Sequence, residues 1–251
     1  MSERKTMIIG LTGQTGAGKS TLSRMFSEWG VEVIDADKVA RYTIENSKEC
    51  LMDLVLEFST EVIHPDATLN RPKLAEICFG DKKKLKRLNE ITFPYIIRAI
   101  GRKLEEACGR GVKMVLLDAP TLYESGLDKR CDRVVAVIAD AETRTRRIIE
   151  RDKMTEEDAR RRVNAQNNDA FYTSRADDIL TNDGELGALR LVFIDLFNRY
   201  EKLANEGGFD KDGSERPQAR EAASPDAPGE MPDALPSDKE VFGELAGEDS
   251  E

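Results

Sequence analysis

The run Gly10–Thr21, GLTGQTGAGKST, sets four glycines around a single lysine and follows them with a serine and a threonine. Glycine at this density lets successive backbone N–H groups turn inward together, and such a concavity holds anions. Gly13, Gly18, Lys19 and Ser20 fit the spacing G-x-x-x-x-G-K-[ST], with an apolar strand pattern before it and an amphipathic helix pattern after it. In that arrangement Lys19 reaches the β- and γ-phosphates of a nucleoside triphosphate, and the Ser20 hydroxyl is offered to Mg²⁺. Gly13, Gly16, Ala17, Gly18, Lys19, Ser20 and Thr21 are therefore the expected nucleotide-binding residues. The loop alone does not separate a kinase from a GTPase or a motor.

A second stretch narrows the chemistry. VIDADKVAR places Asp35 and Asp37 at the end of a strand pattern, where open α/β sheets gather their ligands. In an extended chain the two carboxylates point the same way, and one could orient an acceptor hydroxyl and take its proton; the competing reading is that one of them caps the next helix. No guanine-reading N-K-x-D occurs in the sequence. Downstream, TRTRRIIERDK puts Arg147 and Arg151 four residues apart on one helix face, where they could close over a transferring phosphoryl group and spread its charge. Arg144, Arg146, Arg160, Arg161 and Arg162 are read as solvated helix surface.

The elements that must position these residues follow from apolar patterning. Five short runs read as strands: MIIGL (7–11), VEVID (31–35), VKMVLLD (112–118), RVVAVIA (133–139) and the weaker DDIL (177–180). Near-continuous apolar runs suit strands covered on both faces, and helices between them imply a parallel sheet. The interval from Asp37 to about Gly111 is too long for one crossover and reads as helical, over 50–58, 71–78 and 83–108, with Pro94 as a kink or break. Residues 141–167 form a further helical piece whose second half opens on Thr155, a capping residue with Asp158 three places on.

Composition sets limits around this core. The formal net charge of −10 is concentrated at one end: Gly207–Glu251 holds 13 acidic and 4 basic residues and five of the nine prolines, which leaves the body close to neutral. A segment so poor in large apolar residues cannot offset the entropy of ordering, so 207–251 is expected to be a disordered acidic tail whose partner the sequence does not name. No basic excess points to nucleic acid. The four cysteines have no C-x-x-C spacing and there is one histidine, so buried free thiols are expected rather than a zinc site. Neither a signal-like apolar start nor a run of about 20 apolar residues is present, and a cytoplasmic protein that meets no membrane is expected.

Taken together these motifs resemble the dephospho-coenzyme A kinase family from about Met7 to Leu203. The resemblance rests on TGQTGAGKST, DADKVAR, LNRPKLAEICF, PTLYESGLDKRCD, RRIIERDKMTEEDARRRVNAQ and ADDILTN, in that order. It implies an α/β fold of the P-loop kinase type: a parallel five-stranded sheet (core 7–37 and 111–204), an inserted helical CoA-binding region of about 38–110, and a helical lid of about 144–170. The implied activity is transfer of the γ-phosphoryl of ATP, with Mg²⁺, to the ribose 3′-hydroxyl of dephospho-CoA, by an enzyme expected to be a monomer. Asp37 takes the family's candidate base position and Arg147 its catalytic lid position, beside Lys19. Asp35, Arg71, Glu124 and Arg151 fall on the substrate side, and Asn182 lies near the nucleotide base.

The chain departs from the family pattern at Phe93, where histidine usually precedes proline, at Thr121 in place of leucine, and at Ser59 and Ala67, where glycine is favoured. Two rivals stay open at this point. One is another small-molecule kinase on the same core; the other is a nucleotide-binding regulatory protein without turnover.

Overall fold

The computed structural model describes residues 6–78 and 80–207; the acidic tail expected at 207–251 falls, apart from Gly207, outside the described residues. Those residues divide into two compact units, one holding the chain up to Ile34 and from Leu104 onward, the other holding Asp35–Lys103.

In the first unit the apolar runs form β1 (Met7–Gly13), β2 (Glu32–Asp35), β3 (Met114–Asp118), β4 (Arg133–Ile138) and β5 (Asp178–Thr181), a five-stranded parallel sheet in the order β2-β3-β1-β4-β5. Central β1 lies between β3 and β4, with Ile9 opposite Leu116 on one side and Leu11 opposite Val135 on the other. Every residue of β1 and β3 is buried, as a strand covered on both faces requires. One cover is α1 (Lys19–Glu28) together with α9 (Leu186–Glu206). Phe26 of α1 meets Phe193 of α9 edge to face at 5.0 Å, and Tyr200 anchors the far end by a 2.5 Å hydrogen bond to Asp178. Burial of these rings contributes on the order of 1.5–3 kcal/mol each. The α6 (Ala141–Asp152) and α7 (Glu156–Asn164) hairpin and the short α8 (Asp169–Thr173) connect β4 to β5.

The second unit is helical: α2 (Ala36–Asn46), α3 (Lys48–Phe58), α4 (Arg71–Cys78) and α5 (Lys82–Gly109), whose end belongs to the first unit. Its core gathers Ile44, Leu54, Phe58, Val62, Leu74 and Leu88 with two buried free cysteines. Burial pushes the Cys50 thiol up to about 12 and the Cys78 thiol up to about 11, so both stay protonated and unreactive. Pro94 does not break α5. It lies on the exposed face, where water can satisfy the carbonyl it frees, while Leu88 and Ile100 hold the buried face across it. Among the described residues no helix is long and apolar enough to cross a membrane.

Candidate active site

The phosphate loop begins where β1 ends. Gly13, Gly16 and Gly18 have φ of +152°, +78° and +103°. A Cβ on Gly13 would lie 2.3 Å from the Val137 carbonyl oxygen, on Gly16 2.9 Å from that of Arg144, and on Gly18 2.3 Å from Asn182 Nδ2. Conformation and contact thus both demand glycine here. Helix α1 starts immediately at Lys19, so its unsatisfied N–H groups and the positive end of its dipole face the loop.

Neighbouring strands brace the loop. Lys19 Nζ donates to Asp118 Oδ1 at 2.5 Å, with the two side chains 19% and 10% exposed. Asp118 is the last residue of β3, hydrogen-bonded to β1, so the sheet itself brings the carboxylate to the lysine. The sequence reading did not assign it; an acidic residue closing an apolar strand was the available signal. Asn182, just after β5, donates from Nδ2 to the Ala17 carbonyl at 2.7 Å and joins the loop to the far side of the sheet. Ser20 is exposed on the first turn of α1 and Thr21 is half-buried beside it. The donor set suits a nucleotide with a metal: the N-terminus of α1, one ammonium, a hydroxyl and a carboxylate.

Arg147 is held at the rim of this loop. Its guanidinium donates to the Asn182 carbonyl at 2.8 Å, to Gly184 at 3.1 Å and to Gly16 at 3.5 Å. Arg151, one turn on, donates to the Asp152 carboxylate at 2.6 and 2.8 Å, which holds that carboxyl below its ordinary range. Arg144 overturns its sequence reading: it is not solvated surface but 6% exposed, donating from Nε to the Ala139 carbonyl at 3.0 Å. The cause is its place in the first turn of α6, which lies directly against Gly16 of the loop. Burial lowers the guanidinium's pKa from its ordinary value. Glu124 lies half-buried, accepting from Asn167 Nδ2 at 3.0 Å through Oε1 while Oε2 has no hydrogen-bond partner; burial raises its carboxyl above the ordinary range.

In the second unit the two aspartates separate. Asp35 ends β2 and caps α2, accepting from the Lys38 amide at 3.0 Å, so the helix starts at Ala36 and Asp37 belongs to its first turn. The expectation of two carboxylates on one side of an extended chain therefore fails: the cap converts the second residue to helix. Asp37 is exposed. Arg71, first residue of α4, is ion-paired with Glu45 of α2; its side chain is 14% exposed and its buried Nε has no partner. Desolvation lowers its pKa, offset by Glu45 and reinforced by the nearby charge of Arg41. An open groove of about 500 Å³ in the same unit runs beside Leu56, Arg87, Pro94 and Arg98, with Tyr95 hydrogen-bonded to Asp53 at 2.6 Å.

Comparison with known proteins decides among the remaining readings. A model of the dephospho-CoA kinase family matches residues 7–187. The dephospho-CoA kinase of Corynebacterium glutamicum is 40% identical over 178 residues, covering 71% of this chain and 89% of its own. That of Listeria monocytogenes is 37% identical over 194 residues, covering 77% and 97%. This chain belongs to the dephospho-CoA kinase family. It is thus a kinase, a phosphotransferase of the last step in coenzyme A biosynthesis, and nothing found favours the rival kinases or a silent nucleotide binder. Among solved structures, TT1252 from Thermus thermophilus superposes with a TM-score of 0.63 at 30% identity, over 77% of this chain and 97% of that one. Dephospho-CoA kinase from Campylobacter jejuni superposes with a TM-score of 0.58 at 22% identity, over 79% and 99%, which bears on the fold.

Ser59 and Ala67, which the sequence resemblance would make glycine, have φ of 82° and 64°. Both adopt a positive φ of the kind glycine tolerates best, Ser59 with an extended ψ of 169°.

Proposed function

We propose that the chain transfers the γ-phosphoryl group of ATP to the ribose 3′-hydroxyl of dephospho-CoA. The observation that carries this reading is the seating of Lys19: its ammonium is fixed by Asp118 beside a loop whose three glycines admit no side chain. The loop amides and the N-terminus of α1 bind the phosphates, and Lys19 holds the β- and γ-phosphate oxygens. The Ser20 hydroxyl would hold Mg²⁺, which when bound would supply neutralisation of charge on the phosphoryl group. Arg147 contributes positive charge at the loop rim and Arg151 a second cation one turn away. Asp37 orients the acceptor hydroxyl and takes its proton late, because a ribose hydroxyl is a weak acid and the transition state is loose. Arg71 and Glu124 bind the acceptor, and Asn182 borders the nucleotide base.

Purified protein with MgATP tests the reading through ADP release in the presence of dephospho-CoA, adenosine, AMP or shikimate. Turnover with dephospho-CoA alone, and a product heavier by one phosphate, is the expected outcome. Faster turnover with another acceptor would overturn the assignment, and Phe93 would then be the first residue to change.

A further inference from the structure

The phosphate loop is fastened along its outer edge as well as to the sheet, and nothing in the transfer scheme uses those bonds. Gln14 is 2% exposed, and its side-chain Nε2 donates to Asp169 Oδ1 at 2.8 Å and to the Asn167 carbonyl at 3.4 Å. A carboxylate only accepts, so Asp169 fixes which way the amide faces; Gln14 Oε1 is left buried with no partner. One residue on, the Thr15 amide donates to Gln166 Oε1 at 2.8 Å, and the same oxygen lies 3.5 Å from Arg144 Nη1. Arg144 stands in the first turn of α6 and Gln166 just beyond α7. The segment just beyond α7 therefore bonds two consecutive residues of the loop, and the start of α6 joins it through Arg144, which donates to the same Gln166 oxygen and lies against Gly16.

From this convergence we infer that Gln14 and Gln166 are positioning residues: they fix the loop to the base of the hairpin and thereby set the geometry in which it binds nucleotide phosphates. The inference rests on the nucleotide half of the proposed reaction and is independent of which acceptor is used. Both ends of the Gln14–Thr15 peptide are restrained from outside, and the amides that follow it inherit that orientation. Without the fasteners the loop must lose conformational freedom at the moment of binding, and affinity falls by that amount. Gln14 Oε1 carries the same message. An amide that leaves its own oxygen buried and unpaired is held there by the two bonds its nitrogen makes.

The test is MgADP binding by calorimetry, with steady-state kinetics alongside. Asp169 is exposed, so Asp169→Ala removes the acceptor without opening a cavity. It should weaken MgADP roughly three- to tenfold and raise KM for ATP in parallel, with KM for the acceptor unchanged. Asp169→Asn retains the accepting oxygen and should bind within about twofold of the parent. Gln14→Ala should match Asp169→Ala, and the double variant should be no weaker than either alone. Gln166→Leu should weaken MgADP to a similar degree, and Gln166→Glu, which still accepts, should restore it. Unchanged MgADP affinity in Asp169→Ala, equal losses for both substrates, additive losses in the double variant, or an Asn variant as weak as Ala would each overturn the inference. If Gln14→Ala fails to fold, the exposed Asp169 pair carries the test. Because MgADP binding needs no acceptor, an incorrect acceptor assignment would leave these results unchanged.

Discussion

The two units treat their polar groups differently. Around the phosphate loop, Lys19 is engaged by Asp118, Asn182 by Ala17 and Arg147 by three carbonyls, while the Ser20 hydroxyl stays exposed. In the helical unit Arg71 keeps a buried Nε without a partner, and Ser59 and Ala67 carry side chains at positive φ. In the first unit the buried, unpartnered Gln14 Oε1 and Glu124 Oε2 and the positive-φ Lys153 are not on Lys19, Asn182 or Arg147. The first arrangement is organised in the protein alone, so binding there needs little reordering. The second leaves Arg71 incompletely bonded, which the proposed acceptor-binding role would call for. On this contrast, changes at the phosphate loop should act on nucleotide parameters, and changes in the second unit on acceptor parameters or on stability; Glu124, in the first unit but away from the loop, is assigned to the acceptor.

The largest effect is expected at Asp37. Asp37→Asn keeps the shape and removes the proton acceptor, so kcat should fall by about 10²- to 10⁴-fold while MgADP binding is retained. Near-normal turnover would remove Asp37 from the mechanism. A loss of MgADP affinity would instead place it with the nucleotide and break the contrast.

Gly18→Ala should come next, from the other unit. Its Cβ would displace the Asn182 amide from the Ala17 carbonyl at a backbone φ of +103°. MgADP affinity should fall on the order of 10- to 100-fold in calorimetry. Survival of the parent affinity would mean the loop tolerates a side chain and is not fixed by those bonds.

How much of this was legible beforehand depended on whether a feature is local. The strands could be read because burial on both faces makes continuous apolar runs, and the phosphate loop because its glycines and lysine are adjacent. Asp118 was not assigned because its meaning comes from β3 lying beside β1, a pairing of residues far apart in sequence. The same holds for Arg144: an arginine in a charged helix looks solvated until the helix start is placed against the loop. Asp35 and Asp37 were read in an extended chain; one capping bond moved the second into a helix. The α9 helix, which covers the sheet, went unread between the weak fifth strand and the acidic tail.

Arg71→Met should raise KM for the acceptor roughly tenfold, the order expected for a charged hydrogen bond, with MgADP affinity unchanged. An equal rise in KM for ATP would deny the division between the units. Glu124 gives a smaller effect, read in pH. Burial raises its carboxyl, so the folded state favours the protonated form. That contribution is full below the ordinary carboxylate range and is lost as pH rises toward the folded value. Glu124→Gln cannot ionise, so the melting temperature of the parent relative to this variant should decline as pH rises from about 4 upward. A parallel pair of pH profiles would show that the Glu124 carboxyl titrates in the fold as it does in the unfolded chain, so that burial does not raise it.

The smallest effect returns to glycine and separates two reasons for needing it. At Gly18 a side chain meets another residue; at Gly126, with φ of 66°, an added Cβ meets nothing within 4 Å. Ala67 has nearly the same φ, 64°, and carries its Cβ already. Conformation alone then predicts a mirrored pair. Ala67→Gly should stabilise by up to about 1 kcal/mol, a rise of roughly 2–4 °C in Tm, and Gly126→Ala should cost a similar amount. Ser59→Gly should gain less, because the Ser59 hydroxyl accepts from the Glu61 amide at 3.3 Å and that cap would be lost. Neither Ala67→Gly nor Gly126→Ala should alter MgADP affinity. If Ala67→Gly lowers Tm, the methyl group contributes packing that outweighs the strain, and the helical unit is better adapted to its side chains than its backbone indicates.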